Sequence, residues 1–450
     1  MSIELLVPDL LLEIFFRLPS TVNQKITITQ VSQFWRNVGL DNHLFWSSFS
    51  AGPSERDCVR VPLIIERSGS STMLHVEFDF SNGNWPADTA LRALVPHVAR
   101  IEALDVECGI AVDTDVLLSS NLHFPALQTL RLRGWEGWHP FATVSLTAPR
   151  LRSLDLRTMD PLDLNALLAP GLESVRMQGV GSLKTLAAVF KQCRLVSHVA
   201  FYPRHQLPWT GGEFQGLTKP LAPALRDLEL GLTSRDLVRL LNFRFSDVIL
   251  HRLAAKIPFD SVEMLTALLS GVGPLAVFER SHWQRIELHD DVGRVRSLEC
   301  WEGATSFPLK EVWDHLSFHH GLRETVREIR IPSRDWGLHL DVLESCPPKL
   351  QDGITIGIYI SSSRRKGLRM AGGILRLPGL AKIEICGPAD ELSVEILLEV
   401  VAKFEPPEGR MTEVCVGEQR LTSAEENPFV ALQMALGERC KICTHCTAKS

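Results

Sequence analysis

The apolar positions of this chain follow two periods. Between Pro8 and Leu18 the spacing is helical: Leu10, Leu11, Ile14, Phe15 and Leu18 share a stripe, and Leu12 and Phe16 add apolar surface on the other flank. Pro8 and Asp9 suit the first turn of a helix, and Pro19 and Ser20 end it. Only Glu13 and Arg17 are polar between Leu10 and Leu18, which predicts a helix buried on more than one side. Val31, Phe34, Trp35, Val38 and Leu40 make a second stripe, and Leu44, Phe45, Trp46 and Phe49 close the segment. So short a module buries little core alone. It needs a cover, from the rest of the chain or from another protein.

From residue 101 the pattern changes to apolar, two variable residues, apolar, one variable, apolar. Copies stand at Ile101/Leu104/Val106, Leu127/Leu130/Leu132, Leu151/Leu154/Leu156, Leu172/Val175/Met177, Val196/Val199/Phe201 and Leu225/Leu228/Leu230. Phe245/Val248/Leu250, Trp283/Ile286/Leu288, Val326/Ile329/Ile331, Leu380/Ile383/Ile385 and Met411/Val414/Val416 follow. From Leu104 to Val248 the middle position advances by 26, 24, 21, 24, 29 and 20 residues. These steps bracket the period of a leucine-rich repeat. The last apolar pair of each copy alternates with polar residues, as a half-buried strand should. Helix signals lie between several strands, opening at Ser182, Thr233, Asp260 and Asp390. The resulting fold class is α/β: an all-helical N-terminal module, then an irregular solenoid with parallel strands on its concave face and helices outside. A non-repeat α/β domain of short strands also fits. The asparagine usual after a repeat strand is absent, with Trp135, Met159 and Val180 in its place, and Val295/Leu298/Cys300 reads as a hairpin return. Pro62–Ile65 and Leu74–Phe78 read as strands capping the solenoid. The expected boundaries are 1–50 for the module, 51–100 for a linker and cap, 101–430 for the repeats and 431–450 for a flexible tail.

Composition narrows the function. With 450 residues, 45% of them hydrophobic, a sizeable core can form. A net charge of −6 does not favour nucleic acid as a partner. No apolar run reaches the ~18 residues of a membrane helix, and the N-terminus lacks the basic start of a signal peptide. Ten scattered cysteines and no glycosylation sequon fit a reducing compartment, cytoplasmic or nuclear.

No motif of catalysis is present: there is no nucleophile elbow, phosphate loop, metalloprotease helix or dinucleotide fingerprint. Catalytic, cofactor-binding and metal residues are therefore expected to be none. His289-Asp290-Asp291 and His319-His320 read as loop residues. Cys440, Cys443, His445 and Cys446 have part of a zinc spacing, but a disordered tail is the simpler reading.

The N-terminal residues resemble a known family. Leu6-Val7-Pro8-Asp9-Leu10-Leu11-Leu12-Glu13-Ile14-Phe15, Leu18-Pro19 and Val31-Ser32-Gln33-Phe34-Trp35-Arg36-Asn37-Val38 are similar in order and spacing to an F-box. The ending Asp41–Phe49 is similar to F-box proteins of mushroom-forming fungi. Val7, Asp9, Ser32 and Gln33 replace the family's proline, glutamate, cysteine and basic residue. The resemblance implies a non-catalytic subunit of a Skp–Cullin–F-box ubiquitin ligase. Such a subunit docks on the Skp adaptor, and through it a cullin, and recruits a protein substrate with the rest of the chain. Pro8, Leu10, Leu11, Ile14, Phe15, Leu18, Val31 and Trp35 are the matching adaptor-binding positions. An interaction protein using its F-box outside a ligase, and an enzyme with an unrecognised site, are the alternatives.

On the strands, residues between and after the apolar pair should point to the concave face. They are Arg131, Arg133, Asp155, Arg157, Arg176 and Gln178, then Glu229, Glu287 and His289, with Arg330 and Glu384 beyond. Arg131, Arg133, Arg157 and Arg176 are thus candidates to bind an acidic or phosphorylated substrate segment. A merely solvated charged face is the alternative, with recognition on loops around 202–217 or 301–320.

Overall fold

The fold is that of a computed structural model. It describes residues 6–18, 20–52, 54–81, 87–109, 115–118, 122–134, 146–157, 167–179, 182–203, 224–232, 237, 240, 250–256, 267–269, 272–282, 285–299, 309–319, 322–332, 336–345, 353–359, 373–377, 379–386, 391–405, 412–415, 420–422, 430, 433–434 and 440–442. The chain divides into two compact units, Met1–Gly231 and Leu232–Ser450. This division differs from the expected boundaries: it falls inside the span assigned to repeats, and the first fifty residues belong to the first unit.

In the first unit the N-terminal pattern forms helices α1 (Pro8–Arg17), α2 (Val22–Ile28), α3 (Gln33–Asp41) and α4 (His43–Ser47). Polar side chains fix the starts of three of them. Thr21, Ser32 and Asn42 accept hydrogen bonds from the backbone N–H of Gln24, Trp35 and Phe45 at 3.3, 3.2 and 3.1 Å. Aromatic rings make the core. Phe15 lies 5.2 Å from both Trp35 and Phe45, and Phe45 lies 4.8 Å from Trp46. The Trp46 indole N–H donates to the Gly39 carbonyl at 2.7 Å.

Strand β1 (Ser48–Ala51) leads into helix α5 (Glu55–Arg67). This corrects the expected strand at Pro62–Ile65. Ser54 caps the helix, Glu55 and Asp57 favour its positive end, and Cys58, Val61, Ile64 and Ile65 are buried at helical spacing. The local run Leu63-Ile64-Ile65 reads as a strand only if Pro62 breaks the helix, and here the helix continues through it. Helix α5 also holds the module. Asp57 accepts from the Asn23 backbone N–H at 3.2 Å, Arg60 donates to the Asn23 side chain at 2.5 Å, and the Arg67 guanidinium lies 4.6 Å from the Trp46 ring centroid.

The remaining strands of this unit are β2 (Leu74–Phe80), β3 (Ile101–Cys108), β4 (Thr129–Gly134), β5 (Ser153–Arg157), β6 (Ser174–Gln178), β7 (His198–Tyr202) and β8 (Asp227–Leu230), with helices α6 (Ala87–Leu94), α7 (Asp115–Leu118) and α8 (Leu183–Gln192) between them. From β1 to β8 each strand pairs in parallel with the next in the chain. The register stacks the apolar pairs into two buried rows. One runs Phe49, Val76, Leu104, Leu130, Leu154, Val175, Val199 and Leu228; the other runs Ala51, Phe78, Val106, Leu132, Leu156, Met177, Phe201 and Leu230. At roughly 25 cal/mol per Å² of buried apolar surface, these rows are the main favourable term of the unit.

The second unit carries β9 (Arg252–Lys256), β10 (Leu275–His282), β11 (Arg285–Asp290), β12 (Val295–Glu299), α9 (Leu309–His319), α10 (Leu322–Thr325), β13 (Glu328–Pro332), α11 (Trp336–Ser345) and β14 (Ile354–Tyr359). It continues with β15 (Leu375–Arg376), β16 (Leu380–Cys386), β17 (Glu391–Ser393), α12 (Val394–Val401), β18 (Phe404–Glu405), β19 (Thr412–Cys415), β20 (Arg420–Thr422) and β21 (Cys440–Ile442). Strand β11 is antiparallel to β10 and to β12, so the hairpin return at Val295 and Leu298 is present. The pairings β9–β12, β10–β13, β13–β14, β14–β16, β16–β19 and β19–β21 are parallel. The architecture is thus mixed α/β with mostly parallel strands, and among the described residues the strands close no barrel.

Two expectations are corrected in this unit. His289 and Asp290 lie in β11, not in a loop. Asp290 is buried and accepts from the backbone N–H of Val292 and Arg294 at 3.0 and 2.8 Å, which fastens the β11–β12 turn. The tail expected to be flexible contributes β21, because the alternating Cys440-Lys441-Ile442 can extend the open edge of β19. Cys443, His445 and Cys446 lie outside the described residues, as do His320 and the repeat copy at Phe245/Val248.

Lys25 is buried in the aromatic core of the module, where its ammonium donates to the Phe45 carbonyl and sits 4.2 Å from that ring's centroid. Burial pushes it down to about 8 from 10.5. Between these pH values the unfolded chain holds a proton that the folded chain lacks, so stability should rise with pH across that window. Lys25→Met should flatten the rise. The slope of the urea midpoint between pH 8 and 10.5, compared in the two proteins, checks this, and an equal slope refutes it.

Candidate functional site

Helix α1 separates the eight positions of the F-box resemblance into two groups. Leu11, Phe15 and Trp35 are buried in the module's core. Pro8, Leu10, Ile14, Leu18 and Val31 are exposed, and so are Val7 and Phe16. The expectation that α1 is buried on more than one side is therefore corrected. Its i, i+4 pair Leu11 and Phe15 seats it against α3 and α4, while Leu10 and Phe16 stand 55% and 52% exposed. Exposed apolar residues are ordinary when scattered, but Leu10, Ile14 and Leu18 recur at helical spacing beside Val7. Glu13 and Arg17 form an exposed ion pair at 2.9 Å along the same helix. The arrangement is a partly apolar helix face.

A second candidate is the polar face of the parallel strands in the first unit. Register places its side chains in rows. One runs Ser50, Glu77, Asp105, Arg131, Asp155, Arg176, Ala200 and Glu229. Its neighbour runs Asp79, Glu107, Arg133, Arg157, Gln178 and Tyr202. All four predicted arginines share this face, yet they do not make a basic patch. Arg133 donates to Asp105 and to Glu107, each at 3.2 Å. Arg157 grips Asp155 through two hydrogen bonds of 3.0 and 2.9 Å. Arg131 lies 3.6 Å from Asp105, and Arg176 reaches over the small Ala200 to Glu229 at 3.5 Å. Tyr202 donates to the same Glu229 carboxylate at 2.8 Å.

The compensating groups were the residues to find. Asp105 and Glu107 follow Leu104 and Val106 in the same alternation that marks the arginines, so the sequence held their signal. Burial pushes the Asp105 carboxyl up, with Arg133 and Arg131 pulling against it. The hydrogen bond to Asp155, aided by its charge, raises the Arg157 guanidinium. This face carries acidic and basic groups side by side, many of them paired.

Comparison with family models and with curated proteins matched nothing to this chain. Among the described residues no helix is long and apolar enough to cross a membrane.

The ladder of ion pairs makes the arginines structural, with Arg133 and Arg157 half-buried in it. Arg133→Ala should destabilise the protein by about 1–3 kcal/mol at pH 7, since it strips hydrogen bonds from two carboxylates. The Asp105 carboxyl already lies above its ordinary value, and losing Arg133 lifts it further. Folding then favours the protonated acid, so stability falls as pH rises through that range. The gap between Arg133→Ala and wild type should be narrower at pH 4 than at pH 7. Urea midpoints at both values decide, and equal gaps would show that Asp105 is not the coupled group.

Proposed function

We propose that this chain is a non-catalytic substrate-recognition subunit of a Skp–Cullin–F-box ubiquitin ligase. In this reading residues 8–49 are an F-box, and the strand array behind them is a degenerate leucine-rich-repeat solenoid that holds a protein substrate. The carrying observation is the exposed apolar face of α1, set on a small aromatic core by Leu11 and Phe15. The two F-box-like sequence blocks, each forming a helix, support it. The Skp adaptor is the partner assigned to Leu10, Ile14, Leu18 and Val31, with Pro8 fixing the start of the helix. Leu11, Phe15 and Trp35 are assigned to the module's own core.

The parallel strands that follow one another in chain order, each with one buried apolar pair, support the repeat reading. Substrate recognition is assigned to the charged rows around Arg131, Arg133, Arg157 and Arg176. Because their carboxylate partners share the rows, the substrate segment favoured is one of mixed charge rather than a purely acidic one. Compartment follows from the ligase: cytoplasm, nucleus or both.

Exposed and buried positions give opposite outcomes. Leu10→Asp with Ile14→Asp should leave the melting temperature unchanged and weaken adaptor binding more than about 100-fold, since each apolar side chain is worth ~1.5 kcal/mol or more in a buried interface. Leu11→Asp puts an unpaired carboxylate into the core and should unfold the module. Titration of immobilised Skp adaptor, with circular dichroism melts of each variant, tests this. Full adaptor affinity in the folded Leu10/Ile14 double variant would overturn the F-box assignment.

A further inference from the structure

The antiparallel pairing of β10 with β11 sets Glu279 directly opposite Glu287, and His289 follows two residues along β11 on the same face. Like charges facing each other across a strand pair are destabilising. Neighbouring donors offset this. Arg285 and Ser297 donate to Oε1 of Glu287, Ser297 at 3.1 Å, and Arg252 stands 4.0 Å from the same oxygen. Arg330 of β13 divides itself between Glu328, at 2.6 Å, and Oε2 of Glu279, at 3.3 Å. The second oxygen of Glu287 is left facing the imidazole. Nε2 of His289 is 3.5 Å from Oε2 of Glu287 and 3.8 Å from Oε2 of Glu279. That nitrogen is itself buried and makes no hydrogen bond. One ligand atom from each of the three residues lies within 4.8 Å of the others.

These separations have a metal-centred meaning. Four ligands at ~2.0–2.1 Å around a tetrahedral ion lie ~3.3–3.4 Å from one another. Two of the three edges here are within a few tenths of an ångström of that value. A ligating carboxylate is commonly fixed by donors on its other oxygen, as Ser297 and Arg285 fix that of Glu287. One nitrogen and two carboxylate oxygens favour a first-row transition metal over magnesium or calcium, which prefer oxygen alone.

We propose that Glu279, Glu287 and His289 form a binding site for a divalent transition-metal ion, zinc fitting it best, with the remaining coordination positions open to water. The assignment is independent of the F-box reading. Arg330 competes with the ion for Glu279, so the site has a built-in antagonist.

Cobalt(II) is the probe, since its colour reports its ligands. The full chain, stripped with a chelator, should bind cobalt with a visible d–d band and no strong thiolate charge-transfer band; the latter would mark the C-terminal cysteines. His289→Gln should weaken this binding at least about 100-fold and Ser297→Ala about 10-fold. Arg330→Ala should tighten it, an effect that a nonspecific surface site would not show. Cobalt should raise the melting temperature of wild type and not that of His289→Gln. If His289→Gln does not fold by circular dichroism, Glu279→Gln replaces it in both measurements. Equal affinity in wild type and variant, no cobalt binding at all, or a spectrum of thiolate ligation alone would each overturn the proposal.

Discussion

A parallel strand must be followed by a crossover before its neighbour can be laid beside it. That constraint governs the first unit. Each segment of two dozen or so residues returns the chain to the same sheet edge with one apolar pair, and the pair enters a row already defined by the strands before it. Leu104 meets Val76 and Leu130; Val106 meets Phe78 and Leu132. A slip of one residue would expose both leucines of β4 and bury Arg131 and Arg133. The rows are thus fixed by burial, and everything on the opposite face inherits its position from them.

The electrostatics of that face follow. Side chains on neighbouring parallel strands stand ~4.8 Å apart, near enough that a row of one sign would repel itself. The row through Asp105, Arg131, Asp155 and Arg176 alternates in sign, and Glu229 closes it beyond Ala200, while Glu77 beside Asp105, Asp79 beside Glu107 and Arg133 beside Arg157 set like charges together. In the second unit the β11 hairpin breaks the parallel pattern and brings two glutamates face to face. One of them keeps an oxygen for His289. There the hairpin also places His289 within reach of both glutamates.

Much of this was legible in the residues. The alternating pairs located β3 to β8, Ser182 marked the start of α8, and the out-of-period Val295/Leu298 marked the hairpin. What failed had physical reasons. At Pro62–Ile65 a short apolar run carried β-propensity, but Ser54, eight positions earlier, had already committed the backbone to a helix. On α1 the near-uniform apolarity told nothing about which side faces inward, because that depends on where α3 and α4 lie. Arg131 and Arg133 looked uncompensated because their counter-charges, Asp105 and Glu107, come from β3, the strand before their own. His289 was dismissed for want of a partner at a diagnostic spacing. Glu279 is ten residues away in the chain and adjacent only through the hairpin.

The N-terminal module is also part of the sheet's architecture. Its last strand, β1, pairs in parallel with β2 and takes the edge position, where β2 would otherwise present open backbone groups. Thr21 bridges to Ser50, and Asn23 is bonded through Asp57 and Arg60 of α5. Among the described residues, these contacts tie the module that carries α1 to the strands of the first unit. On the proposed reading as a ligase subunit this has a consequence. A substrate on the charged rows would be presented at a set distance and angle from the docked ligase, so that the reach to its lysines is decided by packing at β1 and α5 rather than by chain flexibility.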